Sequence, residues 1–257
     1  WIENMRIAID AVIDSGKICE ASICYTGDIL DPKRSKYDLK YYEKMAKELK
    51  AAGTHILGVK DMAGLLKPAA AKVLIKAIKD ELDLPIHFHT HDTSGLGGAT
   101  IIAAAEAGVD IADAAMDSFS GGTSQPCLGS IVEALRNTNR DTRLNREAIL
   151  EINDYWNAVR SQYTAFESGI KSPASEIYLH EMPGGQFTNL KAQARSMGLE
   201  DKWSEIASTY ADVNKMFGDI VKVTPSSKVV GDMALMMVSQ GISRTEVEST
   251  SVEVSFP

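Results

Sequence analysis

The stretch PIHFHTHDTSG, residues 85–95, holds three of the chain's five histidines at alternate positions. In an extended strand alternate side chains share a face, so His87, His89 and His91 point the same way, with Cα atoms two residues apart separated by about 7 Å. Two imidazoles at that spacing can converge on one cation, and histidine is the side chain most often used for this. Asp92 and a glycine-bearing loop follow at once, which puts His89 and His91 at the strand end and His87 one layer deeper. The competing reading is a polar strand face with ordinary core histidines. The H-x-H ending a strand favours the metal.

Working outward, the segment is the third of four similar units. KICEASICYTGD reads as a strand ending near Thr26, and THILGVKD as one ending at Lys60 and Asp61. LPIHFHTHD is the third strand, and VDIADAAMDS reads as the fourth. The strands start near 18, 54, 84 and 109. Leu39, Tyr42, Ala46 and Leu49 mark a helix after the first, and Ala71, Leu74, Ile75, Ile78 and Leu82 one after the second, with Pro68 in its first turn. An Ala-rich helix near 98–107 and another from about Leu128 complete the series. Crossovers of this kind make parallel strands. No G-x-G-x-x-G follows a strand, which weakens a dinucleotide-binding sheet. Chemistry-bearing residues instead gather at strand ends: Thr26 and Asp28, Lys60 and Asp61, His89 and His91, Asp117 and Ser118. Barrels build their sites there. The fold class expected is therefore α/β, the last four βα units of a (β/α)8 TIM barrel, with the other half upstream of Trp1.

From about 140 the pattern becomes helical, so the expected division is 1–140 for the barrel unit and 141–257 for a funnel-like helical extension. Ile149, Ile152, Trp156, Val159, Tyr163 and Phe166 mark a long amphipathic helix, and Trp203, Ile206, Ala207, Tyr210 and Val213 another. HEMPGGQFTNL, residues 180–190, reads as a loop, and a further helix starts around Pro225. The chain opens without Met on a helical apolar face of Trp1, Met5, Ala8, Ile9, Val12 and Ile13, which reads as a piece of something longer.

The totals exclude several classes. Net charge is −8 and apolar residues make up 44%, so the chain is an ordinary acidic globular protein with no electrostatic basis for nucleic-acid binding. No apolar run approaches the ~18 residues of a membrane span. Cys19, Cys24 and Cys127 are odd in number and lack zinc spacing, which fits a reducing, cytosol-like compartment.

Two histidines do not complete a metal site. Lys60 ends the neighbouring strand at a comparable depth, yet an ammonium of ordinary pKa ~10.4 repels a cation. It is a substrate-binding charge, a lysine turned into a carbamate by carbon dioxide, or a rim lysine reaching solvent. In KVTPSSK, residues 222–228, Thr224 precedes Pro225, and Ser226 and Ser227 are positioned to cap the next helix. His180 and Glu181 open a turn-like HEMPGGQ. Met233, Met236 and Met237 read as packing.

Together these motifs resemble a known family. CYTGDILDP, GVKDMAGLLKP, HTHDTSGLGG, SGGTSQP, HEMPGGQFTNL and FGDIVKVTPSSKVVGDMA look like the carboxyltransferase domain of the pyruvate carboxylases, from Trp1 to about Met237. Oxaloacetate decarboxylase alpha subunits and a transcarboxylase subunit share the lysine and H-T-H patterns, but TPSSKVVGD and PGGQ look more like the pyruvate carboxylases. The resemblance implies that His89 and His91 bind a divalent metal, zinc or manganese, with carbamylated Lys60 as a further ligand. It implies that Thr224 carries a proton between the pyruvate methyl group and biotin, and that Ser227 helps bind the biotin ring. The implied reaction is transfer of a carboxyl group from carboxybiotin to pyruvate, giving oxaloacetate. Biotin carrier and biotin carboxylase domains, a homo-oligomer, and a cytoplasmic setting (or a mitochondrial matrix in a eukaryote) go with it. The family's strand-one Asp, a Gln and an Arg do not occur in this chain, so the piece alone is expected to bind metal weakly and not to carboxylate pyruvate. A metal-dependent aldolase or lyase, and a non-catalytic interaction domain, are the other readings.

Overall fold

The computed structural model describes residues 2–249. After helix α1 (Ile2–Asp14), strands and helices alternate: β1 (Glu20–Cys24), α2 (Leu39–Ala51), β2 (Ile56–Asp61), α3 (Pro68–Glu81), β3 (Ile86–Thr90), α4 (Gly97–Glu106), β4 (Ile111–Ala112) and α5 (Leu128–Leu135). The strands are parallel and lie side by side in chain order, β1-β2-β3-β4. Among the described residues no strand order reverses, so these four strands form no switch point. This is the progression of a barrel wall rather than of a doubly wound sheet.

Alternation decides which residues face the helices. Ala21 and Ile23, Leu57 and Val59, Ile86 and Phe88 are buried against α2, α3 and α4, which supply Ala46, Leu49, Leu74, Ile75, Ile78, Ile101 and Ala104 to the same core. The other face of each strand carries Ser22 and Cys24, Lys60, and His87 and His89. Local signals hold the helices in place. Asp38 Oδ1 accepts the Tyr41 N–H at 2.9 Å at the start of α2, and Pro68 occupies the first turn of α3. Behind β2, the fully buried Asp61 carboxylate accepts from the Leu65 and Leu66 N–H groups at 2.9 Å each and from Thr90 Oγ1 at 2.8 Å. Burial alone pushes its pKa up, and these donors oppose the shift. Asp61 therefore ties the loop after β2 to β3 and does not face the site.

A second core is helical. α6 (Arg146–Arg160), α7 (Ile177–His180), α8 (Gly184–Ser196), α9 (Trp203–Met216), α10 (Ser226–Gln240) and α11 (Arg244–Glu248) follow. Phe187, Leu190, Ile206, Tyr210, Val213, Val230, Met233 and Met237 bury against one another, with Met236 packed at the edge, as packing methionines should.

Several expectations need correction. The fourth strand has only two residues, and Asp117 and Ser118 lie in a 3-10 turn instead of at its end. Asp117 Oδ1 is occupied by the Gly129 N–H at 2.7 Å, fastening the start of α5. Residues 184–190 are not a loop. Pro183 turns the chain into α8, and the paired glycines become its first residues. Ser226 and Ser227 are not caps, since both lie inside α10. Ser226 Oγ lies 2.8 and 2.6 Å from the Val221 and Val223 carbonyl oxygens and donates its one hydrogen to one of them, and Ser227 is buried. The helix marked from Ile149 ends at Arg160 and continues as 3-10 turns, with Ile152, Tyr155, Trp156, Tyr163 and Phe166 exposed. Trp1 and the tail beyond 249 lie outside the described residues.

Phe88 is fully buried between sheet and helices. Phe88→Ala is expected to cost about 3–5 kcal/mol, read from the urea unfolding midpoint; a loss under about 1 kcal/mol would show that this face is not close-packed.

Candidate metal centre

The register of the sheet sets one row of the site. Cys24 pairs with Lys60, and Lys60 with His89, so the three stand on one level of the same face. His91 lies just past β3, yet its ring meets that of His89 at a centroid distance of 5.2 Å, with Nε2 to Nε2 at 3.4 Å. Two nitrogens each about 2.0–2.1 Å from a tetrahedral zinc stand about 3.3–3.4 Å apart. The pair therefore has the separation of two ligands on one ion.

The other ring nitrogens are both engaged. His89 Nδ1 lies 2.7 Å from Asp113 Oδ2, and His91 Nδ1 lies 2.6 Å from the Thr123 carbonyl oxygen. Each partner is an acceptor, so each Nδ1 must carry the hydrogen. That leaves both Nε2 lone pairs free, 3.4 Å apart, which suits a pair of metal-binding histidines. Burial lowers the His91 pKa, and His89 and Lys60 add to the effect against the Thr123 hydrogen bond. A neutral imidazole is the form that ligates.

One layer deeper, His87 sits opposite Gly58 and is held from both sides. Its Nδ1 is 2.9 Å from Glu20 Oε1, and its Nε2 is 2.9 Å from Asp113 Oδ1. Burial alone would lower its pKa, but the two carboxylates raise it. An imidazolium there balances Asp113, whose own pKa is lowered by His89 and His87 against the effect of burial. His87 thus braces the site from beneath.

Lys60 is exposed on the face and has no ion-pair partner among the described residues. Of the residues singled out from sequence, Lys60, His89 and His91 come together. No hydrogen bond among the described residues joins Thr224 or Ser227 to them. No group of three or more His, Cys, Asp or Glu side chains placed to hold a metal occurs among the described residues; the histidine pair and Lys60 are what this chain brings to one level of the sheet.

Sequence reasoning missed four residues. Asp113 continues past the short β4, where the register puts it beside His89, and strand pairing was the signal that could have found it. Thr123 sits in the SGGTSQP loop and offers only its carbonyl. At Gly64 (φ +75°) a Cβ would lie 2.4 Å from the His91 carbonyl oxygen, so only glycine fits. At Gly184 a Cβ would lie 2.6 Å from His91 Nδ1 and 3.0 Å from the Thr123 oxygen, so the first turn of α8 closes directly over that hydrogen bond.

An α/β chain with parallel strands in barrel order and a histidine pair at the strand ends has the architecture of the TIM-barrel class, whose sites are built at the C-terminal rim. The family model described as HMGL-like matches residues 8–155, and this chain belongs to that family. A second model, described as conserved carboxylase domain, matches residues 177–257. Pyruvate carboxylase of Bacillus subtilis is 55% identical over 257 residues, and mitochondrial pyruvate carboxylase of Homo sapiens 49% over 260 residues. Each alignment covers 100% of this chain and 22% of the relative. The solved carboxyl transferase domain of Rhizobium etli pyruvate carboxylase is 67% identical, with a TM-score of 0.98, over 100% of this chain and 43% of that one. The same domain has been solved with pyruvate, and with pyruvate and biocytin. The chain thus spans about a fifth of the curated relatives it matches, and under half of the solved domain.

Asp113→Asn, in the full-length protein, is expected to weaken metal affinity 10- to 100-fold while the fold persists, measured by chelator competition; unchanged affinity would mean that His89 needs no support. A second expectation is pH-dependent. Burial raises the Glu181 pKa, but Arg34 and Lys222 outweigh it and hold it below the usual range. Its contribution to stability is then present above the unfolded carboxylate pKa of about 4.3 and is lost as pH falls through the lower folded value. Glu181→Gln should remove that part of the acid limb, and an unaltered acid unfolding curve would contradict the assignment.

Proposed function

We propose that the full-length protein carrying this chain is a biotin-dependent pyruvate carboxylase, and that this chain supplies part of the site that moves a carboxyl group to pyruvate, giving oxaloacetate. The observation that carries the reading is the 3.4 Å approach of His89 Nε2 to His91 Nε2 with both Nδ1 atoms held by acceptors. Similarity to carboxyl transferase domains solved with pyruvate and with biocytin supports the substrate and the cofactor.

His89 and His91 would hold a divalent ion, zinc or manganese, with Lys60 as its carbamate. Carbamylation turns a repelling ammonium into an anionic oxygen donor, and it suits a lysine beside two histidines with no carboxylate of its own. A bound ion supplies Lewis-acid stabilisation of the charge that develops on the ketone oxygen of pyruvate. Carboxybiotin, brought by a carrier domain, supplies the carboxyl group. The chain's own part is proton handling and orientation. Thr224 Oγ1 would pass the proton that leaves the pyruvate methyl group to the ureido nitrogen that biotin exposes on giving up its carboxyl group, a task that needs placement more than basicity. Its hydroxyl is exposed and has no hydrogen-bond partner among the described residues, so it is available for that exchange. Ser227, buried at the start of α10, helps fix the biotin ring.

A biotin carboxylase domain and a homo-oligomeric assembly belong to the same reading. The exposed aromatic face of α6, with Tyr155 and Trp156, fits a surface covered in an assembly. No helix among the described residues is long and apolar enough to cross a membrane. A cytoplasmic setting is proposed, while relatives include bacterial and mitochondrial enzymes.

Thr224→Ala in the full-length enzyme is expected to lower kcat by about 10²–10⁴ with metal content unchanged, whereas Thr224→Ser keeps most of it. An alanine variant as active as wild type would overturn the proton relay, and a metal-dependent aldolase would show that insensitivity.

A further inference from the structure

Thr224 stands on a segment that the barrel unit grips from one side. The gripping element is the connection between β1 and α2, residues 25–38, which supplies Arg34, Lys36 and Tyr37. Tyr37 Oη donates to the Asp219 carbonyl at 2.6 Å, and Lys36 Nζ donates to the same carbonyl at 2.7 Å and to the Gly218 carbonyl. Arg34 Nη2 lies 4.0 Å from Asp219 Oδ2. Arg34 Nη1 also bonds Glu181 Oε1, and Glu181 Oε2 lies 3.3 Å from Lys222 Nζ. Glu181 is thus the middle of a chain of charges that runs from the barrel loop to Lys222.

Two features make this more than surface pairing. Glu181 and Lys222 are more than nine-tenths buried, at 7% and 2% exposure. Buried ion pairs are poor sources of net stability, because desolvation consumes most of the attraction, and their best-attested use is to fix an arrangement. Both acids also sit on left-handed backbone, with φ +55° at Glu181 and +53° at Asp219, and neither is glycine. That conformation is tolerated where the surroundings over-determine it. From Lys222 onward the chain is closed into a hydrogen-bonded turn. The Val223 N–H donates to Ser226 Oγ at 3.1 Å, and Ser226 Oγ donates to the Val221 or Val223 carbonyl. Thr224 lies inside that closed turn, and its hydroxyl has no hydrogen-bond partner among the described residues. Its position against the barrel therefore comes through the backbone.

We propose that Arg34, Lys36 and Tyr37, with the Glu181–Lys222 pair, are positioning residues that set the Thr224 hydroxyl relative to the strand-end site. The inference rests on the proton-relay reading of Thr224. It assigns the loop after β1 to the proton-transfer step, although no hydrogen bond among the described residues joins its side chains to the histidine pair. Mispositioning by about an ångström is enough to cost about 100-fold in rate.

The test uses the full-length enzyme. Glu181→Gln takes the ion-pair partner from the buried Lys222 and so changes stability in its own right, so the primary variant is the Lys36→Met/Tyr37→Phe double substitution, which removes donors and adds no buried charge. Steady-state oxaloacetate formation, KM for pyruvate, metal per chain and melting temperature are measured, with Thr224→Ala as the control. The expected result is a fall in kcat of about 10- to 100-fold, with KM and metal content within about twofold of wild type and the melting temperature retained. Arg34→Lys should keep more kcat than Arg34→Met. Unchanged kcat in the double variant, or a loss that tracks KM or metal content, overturns the positioning role. If Thr224→Ala stays active, the relay reading fails; if Thr224→Ala is inactive and the double variant is not, only the clamp fails.

Discussion

The site depends on two hydrogen bonds, from His89 Nδ1 to Asp113 and from His91 Nδ1 to the Thr123 carbonyl. An imidazole offers a lone pair from only one nitrogen at a time, so whatever holds the other nitrogen selects the ligand atom. Asp113 is in turn held by His87, and His87 by Glu20. On the other side, the Thr123 carbonyl and the His91 ring are roofed by Gly184, and the His91 backbone is pressed against Gly64. Two imidazoles are thus fixed by a carboxylate network beneath and close packing above, so that their orientation does not depend on a bound ion.

The barrel unit and the helical unit meet at this roof. The first turn of α8 lies on the histidine, Gly184 N–H donates to the Met62 carbonyl at 2.9 Å, and the charged chain from Arg34 through Glu181 to Lys222 runs alongside. The first turn of α8 thereby covers the His91 ring from the helical side. The clamp on residues 218–224 gives that closure a defined register.

Much of the barrel unit was legible in the sequence because period and punctuation are local. Alternation around Ile86 and Phe88 gave the strand, helical spacing of Leu74, Ile75 and Ile78 gave the crossover, and the strand ends brought Lys60, His89 and His91 into view. What stayed hidden depended on partners distant in sequence. Asp113 acts only through register with His89, and nothing in VDIADAAMDS distinguishes it from its neighbours. The fourth strand was overextended because its apolar positions leave the sheet after Ala112. HEMPGGQFTNL reads as a loop because Pro and Gly usually break helices, yet here proline precedes the helix, Gly184 is required by the close approach of His91, and Gly185 faces open space. The charge chain through Glu181 joins positions 34, 181 and 222, which no local pattern connects. The roles of Thr224 and Ser227 came from resemblance, since their spacing alone also suited capping.

The most direct test of the account is an anomalous-scattering map of the full-length protein, recorded at the absorption edge of the metal it carries. The account predicts one peak between His89 Nε2 and His91 Nε2, with density for a carbamate extending from Lys60 Nζ to the same ion. A peak elsewhere with the two nitrogens unligated, or an unmodified Lys60 pointing away from a bound ion, would contradict it.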